Sequence, residues 1–342
     1  MDLYSTADLL EVIGKMEPVS SYWTDLCFPE SYNSDKEEIM FDLISKDRRM
    51  APFVSPMVEG KVMSQRGYTT SVFKPAYLKP KAVVDPNKIQ TRLAGEAITG
   101  TLTLQQRYDA AVAGILADHN TMHQRRREWM SAEAIIKGSI TVSGDSYETA
   151  NVNFGRAVNQ DVTLSGGALW SAGTANPLAD LETWSRRVQK STGYPITRFT
   201  MGLDAWDAFS THPAILAYVE QRRAVDISGT IAPVNGAQVA EPRLRIGKFE
   251  IWTYYDVYEA DNGSETEFLD SKSVIGTAPA EAIKGLRCYG AIMDSDASYQ
   301  TLELFPKMWK QPDPSVTFLM TQSAPLMVPR RINGTLAAKV LA

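Results

Sequence analysis

His119 and His123 stand four residues apart in a stretch of helical periodicity. On a helix that spacing puts both imidazoles on one face, which is half of a zinc site. The other half is missing. Position 120 is Asn where a zinc protease needs a glutamate base, and the remaining histidine, His212, lies far along the chain. Arg125, Arg126 and Arg127 follow directly and disfavour a bound cation, so two exposed helix histidines are expected. The arginine triplet could touch phosphate, but in an acidic chain a solvated helix face or inter-subunit ion pairs is the stronger reading. Asp294-Ser295-Asp296 offers two carboxylates for a cation or for acid–base work, yet alternate spacing in a turn arises easily by chance.

Other chemistries lack their signatures. Gly247-Lys248 has neither the upstream glycine nor the following Ser or Thr of a phosphate-binding loop. No G-x-G-x-x-G follows a predicted strand, and no G-x-S-x-G is present. Asn262-Gly263-Ser264 and Asn333-Gly334-Thr335 fit the glycosylation sequon but read as surface turns. No catalytic residue, cofactor or metal is therefore expected, and an enzyme is disfavoured. The 342 residues carry 35 basic and 40 acidic side chains, net −5, which excludes a strongly basic nucleic-acid binder. An apolar fraction of 44% excludes disorder. Cys27 and Cys288 lie far apart, as in a reduced compartment. Met1-Asp2-Leu3-Tyr4 has no basic leader, and the longest apolar run, 110–117, is far short of the roughly 20 residues of a membrane span. A soluble, cytoplasmic protein is expected.

What stands out is architecture. The first fifty residues hold eleven Asp or Glu and five Lys or Arg, net −6. Ser5-Thr6-Ala7-Asp8-Leu9-Leu10 reads as an N-cap and a short amphipathic helix, and Pro18, Pro29 and mixed aromatics beyond it predict an irregular arm. Residues 51–88 hold five prolines and a net charge of +4. Alternation at 58–62 and 70–75 predicts a long β-hairpin that its prolines keep off the centre of a sheet. Neither segment can form a core of its own. Their opposite charges point to neighbouring copies as the supports, with wrapping of their own subunit as the alternative. Prolines then vanish until Pro177. Leu104, Tyr108, Ala111, Ile115, Met122, Trp129 and Ile136 recur at helical spacing, broken at Asp118 and Arg126, which predicts a helix over 101–137 closed by Gly138. Short strands follow at 139–142 and 152–154. An α/β part comes next, with helices at 178–190, 204–209 and 213–223 and strands at 197–201, 249–255 and 273–276. A Gly/Pro/Ala-rich loop spans 226–242. Strands at 315–321 and 334–340 end the chain. The fold class is α+β.

Several segments together resemble one family. They are Met1 to Leu10; Val54-Ser55-Pro56 through Glu59-Gly60, Arg66-Gly67 and Lys79-Pro80-Lys81 to Pro86; Ala134-Ile135-Ile136-Lys137-Gly138; and Asn153-Phe154-Gly155-Arg156. Near the end come Gly285-Leu286-Arg287-Cys288-Tyr289-Gly290, Phe305-Pro306-Lys307-Met308-Trp309 and Gln322-Ser323-Ala324-Pro325-Leu326-Met327. In order and spacing the chain resembles the lambda-type major capsid proteins of tailed phages, the phage capsid protein E family. That resemblance implies the Hong Kong 97-like fold. It implies an N-terminal arm (1–50), an extended β-hairpin loop (51–88), a peripheral domain (89–160) with its spine helix at 101–137, an axial domain (161–295), and a return to the peripheral domain (296–342). It implies hexamers and pentamers of an icosahedral shell that encloses double-stranded DNA without sequence-specific binding and expands during maturation. The partners implied are further copies of the chain, a separate scaffolding protein (the arm is too short for a fused one), a portal and, in many members, a small decoration protein at three-fold positions. The place implied is the virion, assembled in the bacterial host cytoplasm, with no membrane partner. Loop residues Glu59, Lys61, Arg66, Lys74, Lys79 and Lys81 would then meet a neighbouring subunit, with Arg125, Arg126 and Arg127 a basic cluster on the spine helix. An encapsulin-like compartment is the alternative, and a soluble α/β enzyme the third choice.

Overall fold

The helix that the periodicity predicts runs from Leu104 to Lys137 in the computed structural model of the chain. At 1.5 Å per residue it reaches about 50 Å. Thr103 and Gln106 form a capping box at its start, and Gly138 closes it in the left-handed conformation, φ 71°. The structure describes residues 3–16, 21–36, 38–44, 68–85, 102–144, 147–222, 239–260, 263–313 and 315–342, and in addition residues 50, 53, 56, 57 and 59. The buried stripe of the helix differs from the expected one. Leu104 and Met122 are exposed, whereas Tyr108, Val112, Leu116, His119, His123, Met130 and Ala134 are buried. The two histidines, expected on the surface, are each only 4% exposed. They fill the gap that interrupted the apolar pattern, because a step of three from Leu116 to His119 and of four to His123 keeps them on the buried face.

The arm's first helix is found where its cap predicts, and beyond it the arm is ordered into elements where irregular chain was expected. A first helix, Thr6–Gly14, carries the Ser5–Asp8 capping box and buries Leu9. A second, Tyr22–Cys27, seats Trp23, Cys27 and Phe28 with no exposed surface. The strand Glu30–Asn33 then runs parallel to Gly285–Tyr289, which pairs with Pro325–Pro329 on its other side. Trp23, Phe28, Ile39 and Phe41 share one core with Met130, Ile135, Ile140 and Leu326. Trp23, Cys27, Phe28, Ile39 and Phe41 of the arm therefore belong to the subunit's own interior. Buried Trp and Phe side chains are worth a few kcal/mol each, more than an arm lying on surface charges could recover.

The basic segment also differs in its partner. Strand Tyr68–Phe73 pairs with Ile39–Ile44 of the arm, so the hairpin begins before residue 51. Strand Lys81–Val84 takes the edge beside Val316–Gln322, whose other neighbour is Phe305–Gln311. An edge position is where flanking prolines such as Pro80 are tolerated.

The α/β part is a six-stranded sheet. Its order is Asp161–Thr163, Thr335–Lys339, Ser273–Thr277, Arg198–Met201, Phe249–Tyr254 and Ala240–Ile246. Helices Pro177–Thr192, Leu203–Thr211 and Pro213–Arg222 complete a second core around Trp170, Trp184, Phe199 and Phe209. Two expectations shift here. Strand Ala240–Ile246 begins inside the stretch read as a loop; it tolerates Pro242 because it is the sheet edge. The remainder of that stretch, 226–238, lies outside the described residues. The last strand enters this sheet instead of returning with 305–329, because Leu336 and Ala338 alternate into the second core.

Gly285 shows how closely the arm is seated. A Cβ there would lie 2.1 Å from the Cys27 carbonyl oxygen and 2.7 Å from the Phe28 ring. Gly285→Ala should destabilise the protein by about 1–3 kcal/mol, with early proteolysis in the arm before global melting. Thermal melting with limited proteolysis checks this, and an unchanged cleavage pattern would contradict the packing described.

Candidate inter-subunit surface

The surface that could meet another subunit depends on how arm and loop are fixed to the long helix. Glu128, buried on that helix, accepts hydrogen bonds from the Trp23 amide at 2.6 Å, the Thr24 amide at 3.0 Å and the Thr24 hydroxyl at 2.8 Å. The Thr24 and Ser131 hydroxyls lie 2.8 Å apart. Ser21, the N-cap residue of helix Tyr22–Cys27, makes no side-chain cap bond, so Glu128 supplies the acceptor from another element. Tyr22, Trp23 and Tyr254 pack together edge-on or tilted, with centroids 5.1–5.5 Å apart. Burial pushes the Glu128 carboxyl up to about 7, against the pull of its three donors. Sequence reasoning missed this residue. A glutamate between Arg127 and Trp129 looks like part of a solvated face, and the amides it serves lie a hundred positions away.

Where the loop leaves the body, four elements meet. Leu9, Val84, Tyr108, Val112, Leu116 and Leu319 form a third small core. Lys81 lies over the Phe318 ring at 3.9 Å and the Trp309 ring at 5.1 Å, and Lys79 over Tyr77 at 4.9 Å. Tyr77 donates its hydroxyl to the Ala291 carbonyl at 2.8 Å, and Leu78 bridges to Ser323. Lys79 and Lys81 are thus engaged with their own subunit's rings. Lys74 is exposed, and its carbonyl accepts from the Tyr147 hydroxyl at 3.1 Å. Glu59 is exposed, as are Met50, Phe53 and Met57, at 83%, 102% and 94%. Lys61 and Arg66 lie outside the described residues.

The remaining candidates resolve into internal contacts. The arginine triplet diverges. Arg127 pairs with Glu303 and donates to the Tyr289 hydroxyl at 3.0 Å, while Arg126 lies 5.4 Å from the Trp129 ring centre. It is therefore not one convergent phosphate cluster. His123 Nε2 lies 2.9 Å from the Thr321 hydroxyl; burial foremost, then Arg127, depresses it to about 4. His119 is lowered by burial as well. Asp294 and Asp296 both pair with Lys307, at 2.9 and 2.8 Å, so the protein's own ammonium sits where a cation was considered. Cys27 and Cys288 are free and buried, and burial raises both thiols. Among the described residues no cluster could hold a metal ion and no helix could cross a membrane.

An arm sewn into a mixed α+β body, a loop based on a long helix and a separate six-stranded sheet are the parts of a Hong Kong 97-like shell subunit. Residues 5–340 match the model of the family described as phage major capsid protein E, and the chain belongs to that family. It is 29% identical over 336 residues to the major capsid protein of Escherichia phage lambda, covering 96% of each chain. It is 28% identical over 335 residues to that of Enterobacteria phage phi80, again covering 96% of each. Its fold is similar to that of a prophage capsid protein of E. coli CFT073, with TM-score 0.72, 22% identity and 99% of both chains covered. The chain is thus a major capsid protein of a phage or prophage, and its place is the virion capsid.

Two buried groups on the long helix give opposite pH dependences. Glu128 ionises near 7 in the fold against an ordinary value of 4.5, so the folded state holds the extra proton and stability falls as pH rises through that window. His123 protonates near 4 against 6.5, so the unfolded state holds the extra proton and stability falls as pH drops through that window. Glu128→Gln should cost about 1–3 kcal/mol at pH 5, because an NH2 with two donors replaces a carboxyl with one, and less at pH 8, where the wild type must bury a charge that the amide does not carry. His123→Asn should flatten the acid-side loss. Urea unfolding at pH 4, 5 and 8 reads both, and parallel curves for wild type and variants would refute the assignments.

Proposed function

We propose that this chain assembles in the host cytoplasm into hexamers and pentamers of an icosahedral shell that encloses double-stranded DNA and expands as it matures. Its role is mechanical, with no catalysis. The six-stranded sheet and its helices serve as the axial domain, 161–295, joined by the last strand. The spine helix and the sheets around it serve as the peripheral domain, 89–160 with most of 296–342. The arm takes 1–50 and the extended loop 51–88. A separate scaffolding protein, a portal at one vertex and a decoration protein at three-fold positions are the partners.

The observation that carries the loop's part is the exposure of Phe53 and Met57, with Met50 just before them at the end of the arm. Large apolar side chains held in water beside a basic, proline-rich segment are what an unoccupied protein contact leaves behind. Lys74, with Lys61 and Arg66, would add charge that selects the partner surface, at about 1 kcal/mol or less per exposed pair. Glu59, on the same loop, brings the opposite charge to that contact. Lys79 and Lys81 hold the loop's base instead of reaching outward. Arg125, Arg126 and Arg127 stiffen the helix and its neighbours.

Electron microscopy of the purified protein should show uniform hollow shells, and phage particles should contain DNA. A monodisperse dimer would refute the shell, and cargo protein in place of DNA would favour an encapsulin-like compartment. Arg66→Glu with Lys74→Glu should abolish shells while leaving the melting temperature within about 2 °C. Normal shells from that variant would remove the loop charges from the interface. Lys81→Glu should instead lower the melting temperature, because it removes a cation that lies over two stacked rings.

A further inference from the structure

A basic trio stands where the strand pair Gly285–Tyr289 and Pro325–Pro329 opens. Lys284 ends the short helix Ala280–Ile283 in a left-handed conformation, φ 51°. Its carbonyl accepts the Arg330 amide at 3.4 Å, and the Ile283 carbonyl accepts the Arg331 amide at 2.9 Å. The backbone therefore fixes Lys284, Arg330 and Arg331 side by side. None of the three has an ion pair among the described residues. The Nε atoms of Arg330 and Arg331 are buried without a hydrogen-bond partner. The guanidinium groups are only partly buried, and their terminal nitrogens form a planar fork shaped for a carboxylate.

A matching deficit of cations lies elsewhere on the chain. In the hairpin of Val257–Glu259 and Glu265–Glu267, Glu259 stands directly opposite Glu265, and Val257 opposite Glu267. The period of two puts all three glutamates on one face. All three are exposed, and none has an ion pair among the described residues. The next residues anchor the hairpin: Tyr258 meets the buried Phe268 ring edge-on, with centroids 4.9 Å apart. Like charges directly opposite destabilise a strand pair. The isolated subunit therefore carries three acids and three bases, each group repelling itself and each fixed by backbone pairing.

We propose that in the shell the acidic hairpin of one copy, Glu259, Glu265 and Glu267, docks on Lys284, Arg330 and Arg331 of a second copy. Three cations are a small patch for a phosphate backbone, where affinity grows with each phosphate neutralised. They equal in number the three carboxylates that the hairpin presents on one face. The proposal rests on the capsid reading, and the test separates the two.

The full chain is expressed in bacteria with the other head proteins of its phage, and shells are counted by gradient sedimentation and electron microscopy. Wild-type protein that forms no shell overturns the capsid reading itself. Given wild-type shells, Arg330→Glu with Arg331→Glu, and separately Glu259→Lys with Glu265→Lys, should each lower the yield about tenfold. The four changes together should restore it to within about threefold of wild type. Circular dichroism melting establishes that each variant folds. Where a charge reversal does not fold, the glutamine variants at the same positions replace it, and neutralising both sides should then be no worse than neutralising one. Normal yield from either pair alone, or no recovery when they are combined, overturns the pairing. A basic-side variant with normal shells but less packaged DNA overturns it in favour of phosphate.

Discussion

A helix that begins inside a protein brings amide hydrogens that water cannot reach, and something must accept them. In this subunit that acceptor is the Glu128 carboxylate, which meets the first amides of helix Tyr22–Cys27 and the Thr24 hydroxyl. Much follows from that one contact. It aims the arm helix so that Trp23, Cys27 and Phe28 enter the core, and it delivers the next residues to the parallel edge beside Gly285–Tyr289. The glycine at 285 is the counterpart on the other side, since the Cys27 carbonyl occupies the space a side chain would need. Burial makes the charged form of this carboxyl expensive and raises it to about 7, so the arrangement does less for raw stability than for specificity. A slip of one turn would leave the carboxylate facing apolar rings and two amides without an acceptor.

The same logic runs along the long helix. Its buried face is not purely apolar: His119, His123, Glu128 and Ser131 interrupt it. Each interruption that has a partner ties the helix to a different element. Glu128 and Ser131 meet the arm, and His123 meets Thr321 on strand Val316–Gln322. Leu and Val would pack there in several registers, whereas a directional bond has one. The helix thus joins the arm, the loop's base strand and the terminal strands in one fixed frame.

That mixture explains what was legible in the sequence. The length of the helix, its cap at Gly138, the Ser5 cap and the sheet's helices and inner strands follow from local rules, and they are found within a few residues of where those rules place them. The histidines were misjudged because periodicity counts apolar residues, and a neutral imidazole used as a core side chain is invisible to it. The arm was misjudged for a different reason. Prolines and acidic residues describe its surface, while Trp23, Phe28 and Phe41 are separated by turns, and no short-range period shows that they converge. Glu128 lies beyond any local rule, since its meaning depends on contacts with residues 23 and 24. The resemblance to a capsid family survived these errors because it rests on ordered segments along the whole chain instead of on any one element.

An arm satisfied by its own subunit changes where assembly must act. Had the arm belonged to neighbours, each subunit would have been incomplete until the shell formed, and rearrangement would have had to unpick a core. Here Lys81 over the Phe318 and Trp309 rings, the Leu78–Ser323 bridge and the Tyr77–Ala291 bond tie the loop's base strand to its own subunit. The exposed apolar residues Met50, Phe53 and Met57 lie outside that base. Shell contacts can then be numerous and individually weak, about 1 kcal/mol or less for each exposed ion pair. Such contacts can be exchanged one at a time while every subunit keeps its interior. That separation between a body closed by a buried carboxylate and a surface left unsatisfied lets one chain be both a stable fold and a movable part.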